Sequence, residues 1–102
     1  MKILLWVWTL GLAWGAALPS MADQKLAENK NCLACHGVKE QIVGPAFKSV
    51  AAKYAGQTGA PAALAEKIRK GSSGVWGPTP MPPNDVTAAE AKVLADWVLS
   101  LK

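Results

Sequence analysis

The chain has 102 residues, half of them hydrophobic and 18% charged, with a formal net charge of +4. That length holds one small domain, and the lysines are scattered without a basic run or interleaved aromatics, which argues against a nucleic-acid-binding protein. No stretch reads as alternating strand, so an α/β or sandwich architecture is excluded as well.

The first element is a targeting segment. Lys2 supplies a positive start, residues 3–18 are apolar, Pro19 breaks the run, and Ser20-Met21-Ala22 has the small-x-small pattern of a cleavage site. The apolar run is shorter than the ~20 residues of a spanning helix, so a cleaved leader over 1–22 is preferred to an uncleaved membrane anchor. No cysteine lies near the cleavage site to signal lipidation. Removal of 22 residues from 102 leaves 80, residues 23–102, carrying +3, because Lys2 is the leader's one charged residue. A domain of that size builds only a marginal core from side chains alone.

The next element is a helix expected over about 23–36, with a thin apolar face of Leu26, Ala27, Leu33 and Ala34 and Gly37 as terminator. Its end carries Cys32-Leu33-Ala34-Cys35-His36, the C-x-x-C-H pattern of c-type haem attachment. Residues three and four apart share a helical face, so two thiols and one imidazole can address a single macrocycle. The thiols would add across the haem vinyl groups, and His36 would ligate the iron. A structural zinc site wants four ligands, and residues 23–102 offer three Cys and His residues in all. A thioredoxin-like motif would normally follow a strand in an α/β unit. The second nitrogen of His36 needs an acceptor to fix the ring, and a carbonyl near Gly44-Pro45 is a candidate.

After a loop at 39–44, Pro45 opens a second helix expected through Tyr54, with Phe47, Val50, Ala51 and Tyr54 on one face. A third helix is expected from about Pro61 to Gly71, with Leu64, Ala65 and Ile68 as its stripe. Residues 71–83 hold three glycines and four prolines around Trp76 and Met81, which reads as an ordered, proline-stiffened loop. Trp76 is read either as core or as an indole N–H donor to a partner. Thr87-Ala88-Ala89-Glu90 is a capping box, and Val93, Leu94, Trp97, Val98 and Leu101 form the stripe of a final helix. Trp97 is assigned to core packing. The whole is an all-α reading with no repeats and no second domain.

His36 is the chain's one histidine, and Met81 is the one methionine outside the leader. Met81 is therefore the favoured second axial ligand; a lysine or the N-terminal amine are the other donors, and an open position is the remaining option. A thioether is a soft ligand that favours Fe(II) and raises the potential.

These motifs, together with Val43-Gly44-Pro45-Ala46-Phe47, Gly74-Val75-Trp76-Gly77, Pro80-Met81-Pro82-Pro83-Asn84 and Ala95-Asp96-Trp97-Val98-Leu99-Ser100, resemble the class I monohaem cytochromes c. The similarity is strongest to the short bacterial type that donates electrons to periplasmic nitrite reductase, and it covers residues 23–102. It implies about four helices around one covalently bound haem c, with the N- and C-terminal helices crossing. It implies Cys32 and Cys35 as attachment sites and His36 and Met81 as iron ligands. It implies the Pro45 carbonyl as acceptor for His36, Trp76 as donor to a propionate, and Asn84 as the group orienting the Met81 sulfur. Asn31 stands where relatives often have Gly, Ala27 where some carry an aromatic, and Lys67 where many place an arginine that reaches a propionate.

The function implied is one-electron transfer by a monomeric periplasmic carrier, not an enzyme. Its partners would be a quinol-cytochrome c reductase upstream and a nitrite reductase, cytochrome c oxidase or peroxidase downstream, with the membrane met only through those complexes. The rival reading is a haem enzyme or gas sensor whose sixth position opens. The leader generates a first prediction: the intact mass of the exported holoprotein equals residues 23–102 plus one haem. A mass that retains the leader would contradict it.

Overall fold

A computed structural model describes residues 21–101. The expected leader lies outside the described residues except for Met21 and Ala22, which begin the first helix. Four α-helices follow in order: α1 Met21–Asn29, α2 Phe47–Tyr54, α3 Ala60–Lys70 and α4 Ala88–Ser100. There is no strand among the described residues, only two isolated backbone bridges. No described helix is long and apolar enough to cross a membrane.

The helix expected over 23–36 ends earlier than its composition suggests. Asn31 adopts φ 62°, ψ 19°, a left-handed conformation that terminates α1. The haem-attachment motif then forms a separate 3-10 turn, Cys32–Ala34. Left-handed backbone is free to glycine and least costly among other residues to Asn. Asn31 is thus suited to the turn it occupies. The N–H groups of Cys35 and His36 both donate to the Cys32 carbonyl, at 3.2 and 3.0 Å. The thiols and the imidazole thus remain grouped although the helix has ended.

The other boundaries lie close to expectation. α2 begins at Phe47, after Pro45, and buries Phe47, Val50 and Ala51, with Tyr54 half-buried. α3 has Pro61 in its first turn and ends at Gly71, whose φ of 81° is readily available only to glycine. At the start of α4 the capping box is complete. Thr87 Oγ1 accepts from the Glu90 N–H at 3.1 Å, and the Thr87 N–H donates to Glu90 Oε1 at 2.9 Å. That backbone hydrogen bond, with nearby Lys30 adding to it, holds the Glu90 carboxyl below its ordinary range. Lys30 also reaches the Asp85 carbonyl at 3.3 Å, tying the end of α1 to the start of α4.

α4 packs against each of the other three helices and is the hub of the fold. Its buried face is Ala91, Leu94, Ala95, Trp97, Val98 and Leu101. Val93, expected in this stripe, is 39% exposed. One residue is about 100° of helix rotation, so a stripe centred on Leu94 and Val98 turns Val93 outward and brings Ala91 and Ala95 in. Those two alanines and Ala27 of α1 belong to the same buried cluster. One-methyl side chains let the terminal helices approach closely, and an aromatic at Ala27 would have to be accommodated there.

The left-handed turn at Asn31 generates the second prediction. Asn31→Ala should destabilise the domain by about 1 kcal/mol, lowering the melting temperature by roughly 4–8 °C. Asn31→Gly should leave it nearly unchanged. Thermal unfolding followed by circular dichroism at 222 nm checks both; equal melting temperatures for Ala and Gly would remove strain at Asn31 from the account.

Candidate haem site

The site is assembled largely by backbone hydrogen bonds. The Cys35 carbonyl accepts from two N–H groups of the following loop, Val43 at 3.1 Å and Gly44 at 2.7 Å. Gly37 donates to the Glu40 carbonyl at 3.1 Å, and Phe47 and Lys48 donate back to Gly37 and Val38 at 2.9 and 3.0 Å. The loop at 39–44 is therefore folded onto the motif, and α2 is anchored to it. Burial pushes the Cys32 thiol above its ordinary pKa; neighbouring Cys35 adds to the rise, and a backbone hydrogen bond opposes it.

His36 Nδ1 lies 2.7 Å from the Pro45 carbonyl oxygen. A carbonyl can only accept, so Nδ1 carries the proton and Nε2 keeps its lone pair. Phe47 stacks on the imidazole, with centroids 4.9 Å apart and planes inclined by 19°. Gly44 is pressed against the same ring: a Cβ at this position would stand 2.5 Å from His36 Cε1. In the sequence Gly44 is marked only by its place in Val43-Gly44-Pro45-Ala46-Phe47, beside the Pro45 carbonyl. Its role in giving the ring room is a tertiary contact with no local signature beyond a glycine preceding a proline.

Met81 comes from the loop after α3. Its N–H donates to the Ser72 carbonyl at 2.8 Å, and the Ser72 N–H returns the bond at 3.0 Å. Gly71 enables this pairing, since a Cβ there would stand 2.5 Å from the Met81 carbonyl oxygen. Asn84 straps the far side of the loop to α3. Its backbone N–H and its Nδ2 both donate to the Ile68 carbonyl, at 3.2 and 2.9 Å. Nδ2 also lies 3.4 Å from the Pro82 carbonyl oxygen. The Asn84 amide thus bridges α3 and the Met81 loop.

Trp76 lies on the glycine- and proline-rich loop after α3 and is 44% exposed. The Lys53 ammonium sits over its ring, 4.8 Å from the centroid. Trp97 is buried as expected, edge-on to Phe47 with centroids 5.4 Å apart.

These elements enclose a cleft of about 450 Å³. Cys32, Cys35, His36, Pro45, Trp76, Met81 and Asn84 all line it, and so does Lys67. The volume lies within the range of cofactor pockets. Its donor set suits haem c: two adjacent thiols for attachment, one imidazole with a free Nε2, one thioether, and Val50, Leu64, Ile68 and Leu94 as apolar walls. Among the described residues, no group of three or more His, Cys, Asp and Glu side chains is arranged to hold a bare metal ion.

Comparison with known proteins agrees with the cleft. The cytochrome c family model matches residues 22–102. Cytochrome c-551 of Pseudomonas aeruginosa is 61% identical over 77 residues, covering 76% of this chain and 74% of that protein. Cytochrome c-552 of Nitrosomonas europaea is 57% identical over 84 residues, covering 81% and 82%. The crystal structure of wild-type Nitrosomonas europaea cytochrome c552 superposes with a TM-score of 0.76 at 57% identity, covering 78% of this chain and 99% of that one. The class 1 cytochrome MtoD of Sideroxydans lithotrophicus superposes with a TM-score of 0.66 at 34% identity, covering 78% and 92%.

Proposed function

The chain belongs to the cytochrome c family and binds haem c covalently through Cys32 and Cys35, and we propose that it is an exported, periplasmic electron carrier with His36 and Met81 as iron ligands. Its leader over 1–22 is removed, and residues 23–102 form the working domain. The observation that carries this reading is the convergence of the one histidine and the one methionine of residues 23–102 on a single cleft, each held by backbone hydrogen bonds.

Haem supplies an iron that takes up and releases one electron. The chain's own residues decide how that iron is used. The bond from Nδ1 to the Pro45 carbonyl makes the imidazole a better donor and keeps Nε2 available. The Ser72 pairing and the prolines beside Met81 order the loop before it is needed, which lowers the entropic cost of presenting a thioether. A soft thioether favours the reduced iron. With His36 and Met81 both on the iron, no position would be left for a substrate, as expected of a carrier and not of an enzyme. Trp76 would donate its indole N–H to a propionate, and Asn84, which ties the Met81 loop to α3 through the Ile68 carbonyl, would orient the Met81 sulfur.

The electron leaves through the loops that flank the cleft. Ile42 and Val43 are 54% and 57% exposed, beside the motif and ahead of Pro45. The charge of +3, reduced further by propionates, leaves little net charge for long-range steering. Partners therefore dock briefly on an apolar patch aided by lysines, as weak redox encounters do. They are a quinol-cytochrome c reductase as donor and a nitrite reductase, or a cytochrome c oxidase or peroxidase, as acceptor.

Two predictions follow from this geometry. Met81→Ala should lower the reduction potential, within the roughly 0.8 V range that axial ligands command, abolish the weak far-red band of the ferric protein, and let carbon monoxide bind the ferrous form. A far-red band that survives the substitution would exclude Met81 as ligand. Val43→Asp should slow electron transfer to nitrite reductase several-fold, whereas Lys92→Gln, the same charge change on exposed α4, should not. Stopped-flow rates across a salt series check this; loss of transfer in high salt with no effect of Val43→Asp would indicate a charged docking face instead.

A further inference from the structure

The groups around His36 extend well past the attachment motif. The hydrogen bond at Nδ1 fixes one point of the ring but leaves a tilt about the line through that point and Cβ. Flat contacts against the ring remove that freedom. Phe47 lies 4.9 Å away and inclined by only 19°. Gly44 approaches so closely that a Cβ would stand 2.5 Å from Cε1, 2.9 Å from Nδ1 and 3.0 Å from Nε2. Real Cβ atoms do not approach that closely, so any side chain at this position displaces either the ring or the loop. The loop cannot yield easily, because the Gly44 N–H is bonded to the Cys35 carbonyl at 2.7 Å.

Phe47 is in turn constrained from behind. It is buried, its N–H donates to the Gly37 carbonyl at 2.9 Å, and its ring meets the edge of Trp97 at 5.4 Å and 76°. Trp97 belongs to the α4 hub and packs edge-on with Phe47, which in turn stacks on the imidazole. Stacked and edge-on aromatic contacts have preferred geometries, so a displaced Trp97 re-aims Phe47 and with it the ring that Phe47 covers.

We propose that Gly44, Phe47 and Trp97 form a packed relay that sets the plane of the His36 imidazole, making Trp97 on the C-terminal helix a positioning residue for the axial ligand. The inference rests on His36 being that ligand. The plane matters because the imidazole π orbitals overlap the iron d orbitals they are aligned with. The plane therefore governs the magnetic anisotropy of the ferric state and the pattern of paramagnetic shifts around the macrocycle. Met81 comes from another segment, the loop after α3, where it is held by Ser72.

The test uses ferric holoprotein, with proton NMR of the haem methyl groups, low-temperature EPR and thermal unfolding on each sample. Phe47→Leu, Gly44→Ala and Trp97→Leu should redistribute the methyl shifts and alter the g-values. Phe47→Tyr, which keeps a ring at the stack, should retain the wild-type pattern. Ala60→Gly is the control: Ala60 is buried at the start of α3 and lies outside the core cluster that holds Phe47 and Trp97, so the substitution should lower the melting temperature with the methyl pattern intact. Wild-type methyl patterns in Phe47→Leu and Trp97→Leu, with melting temperatures lowered as in Ala60→Gly, would reduce both aromatics to ordinary core and overturn the proposal. If Phe47→Leu does not fold, Trp97→Phe decides, since an unchanged pattern there breaks the relay. Failure of the ligation reading is separately visible: wild-type protein would then lack strongly shifted His36 ring protons.

Discussion

The controlling constraint is that this domain has too little side-chain interior to fold around itself. Its buried cluster is one face of α4 with a few residues from each of α1, α2 and α3. A domain of some 80 residues buries a small share of its surface and is marginal without a staple. The cleft of about 450 Å³ is where the rest of the interior belongs, and covalent haem completes it. Attachment at Cys32 and Cys35 gives the chain a large apolar body that cannot dissociate. The same group is thus half of the core and the whole of the chemistry, so mutations that loosen packing and mutations that alter electron transfer overlap here.

Backbone groups do most of the positioning. Around the site, carbonyls accept two donors at Cys32, from Cys35 and His36, at Cys35, from Val43 and Gly44, and at Ile68, from both nitrogens of Asn84. Met81 is held by a reciprocal pair with Ser72. Such bonds place a side chain without occupying the cleft with polar groups. They also define the loops before an electron arrives, which suits a carrier whose surroundings should change little between two oxidation states. Two glycines make the scheme sterically possible, Gly44 under the imidazole and Gly71 behind the Met81 carbonyl.

The surface divides in a related way. The side chains that fill the interior sit mainly on α4 and α2, whereas Ile42, Val43 and Trp76 lie exposed on loops near the cleft. Exposed apolar side chains near a redox centre are affordable when contacts are brief and small. Lys53 over the Trp76 ring covers part of that surface and joins α2 to the loop bearing Met81.

Much of this was legible in the residues alone. The spacing of Cys32, Cys35 and His36 determines the cofactor because thioether attachment demands that order, and Thr87 with Glu90 determines where α4 starts because both halves of a capping box are local. Single occurrence of His36 and Met81 within residues 23–102 narrows the ligand choice by elimination. Other features were decided only by the tertiary structure. The end of α1 at Asn31 was hidden because helix periodicity continues through Cys35, and a single left-handed residue overrides it. The inward turn of Ala91 and Ala95 and the exposure of Val93 depend on which face of α4 meets three other helices, a long-range fact absent from hydropathy. The contact between Gly44 and His36 likewise arises from a loop folded back on the attachment motif. Sequence determines what is local or covalent; the rest waits for the packing that chooses among equally apolar faces.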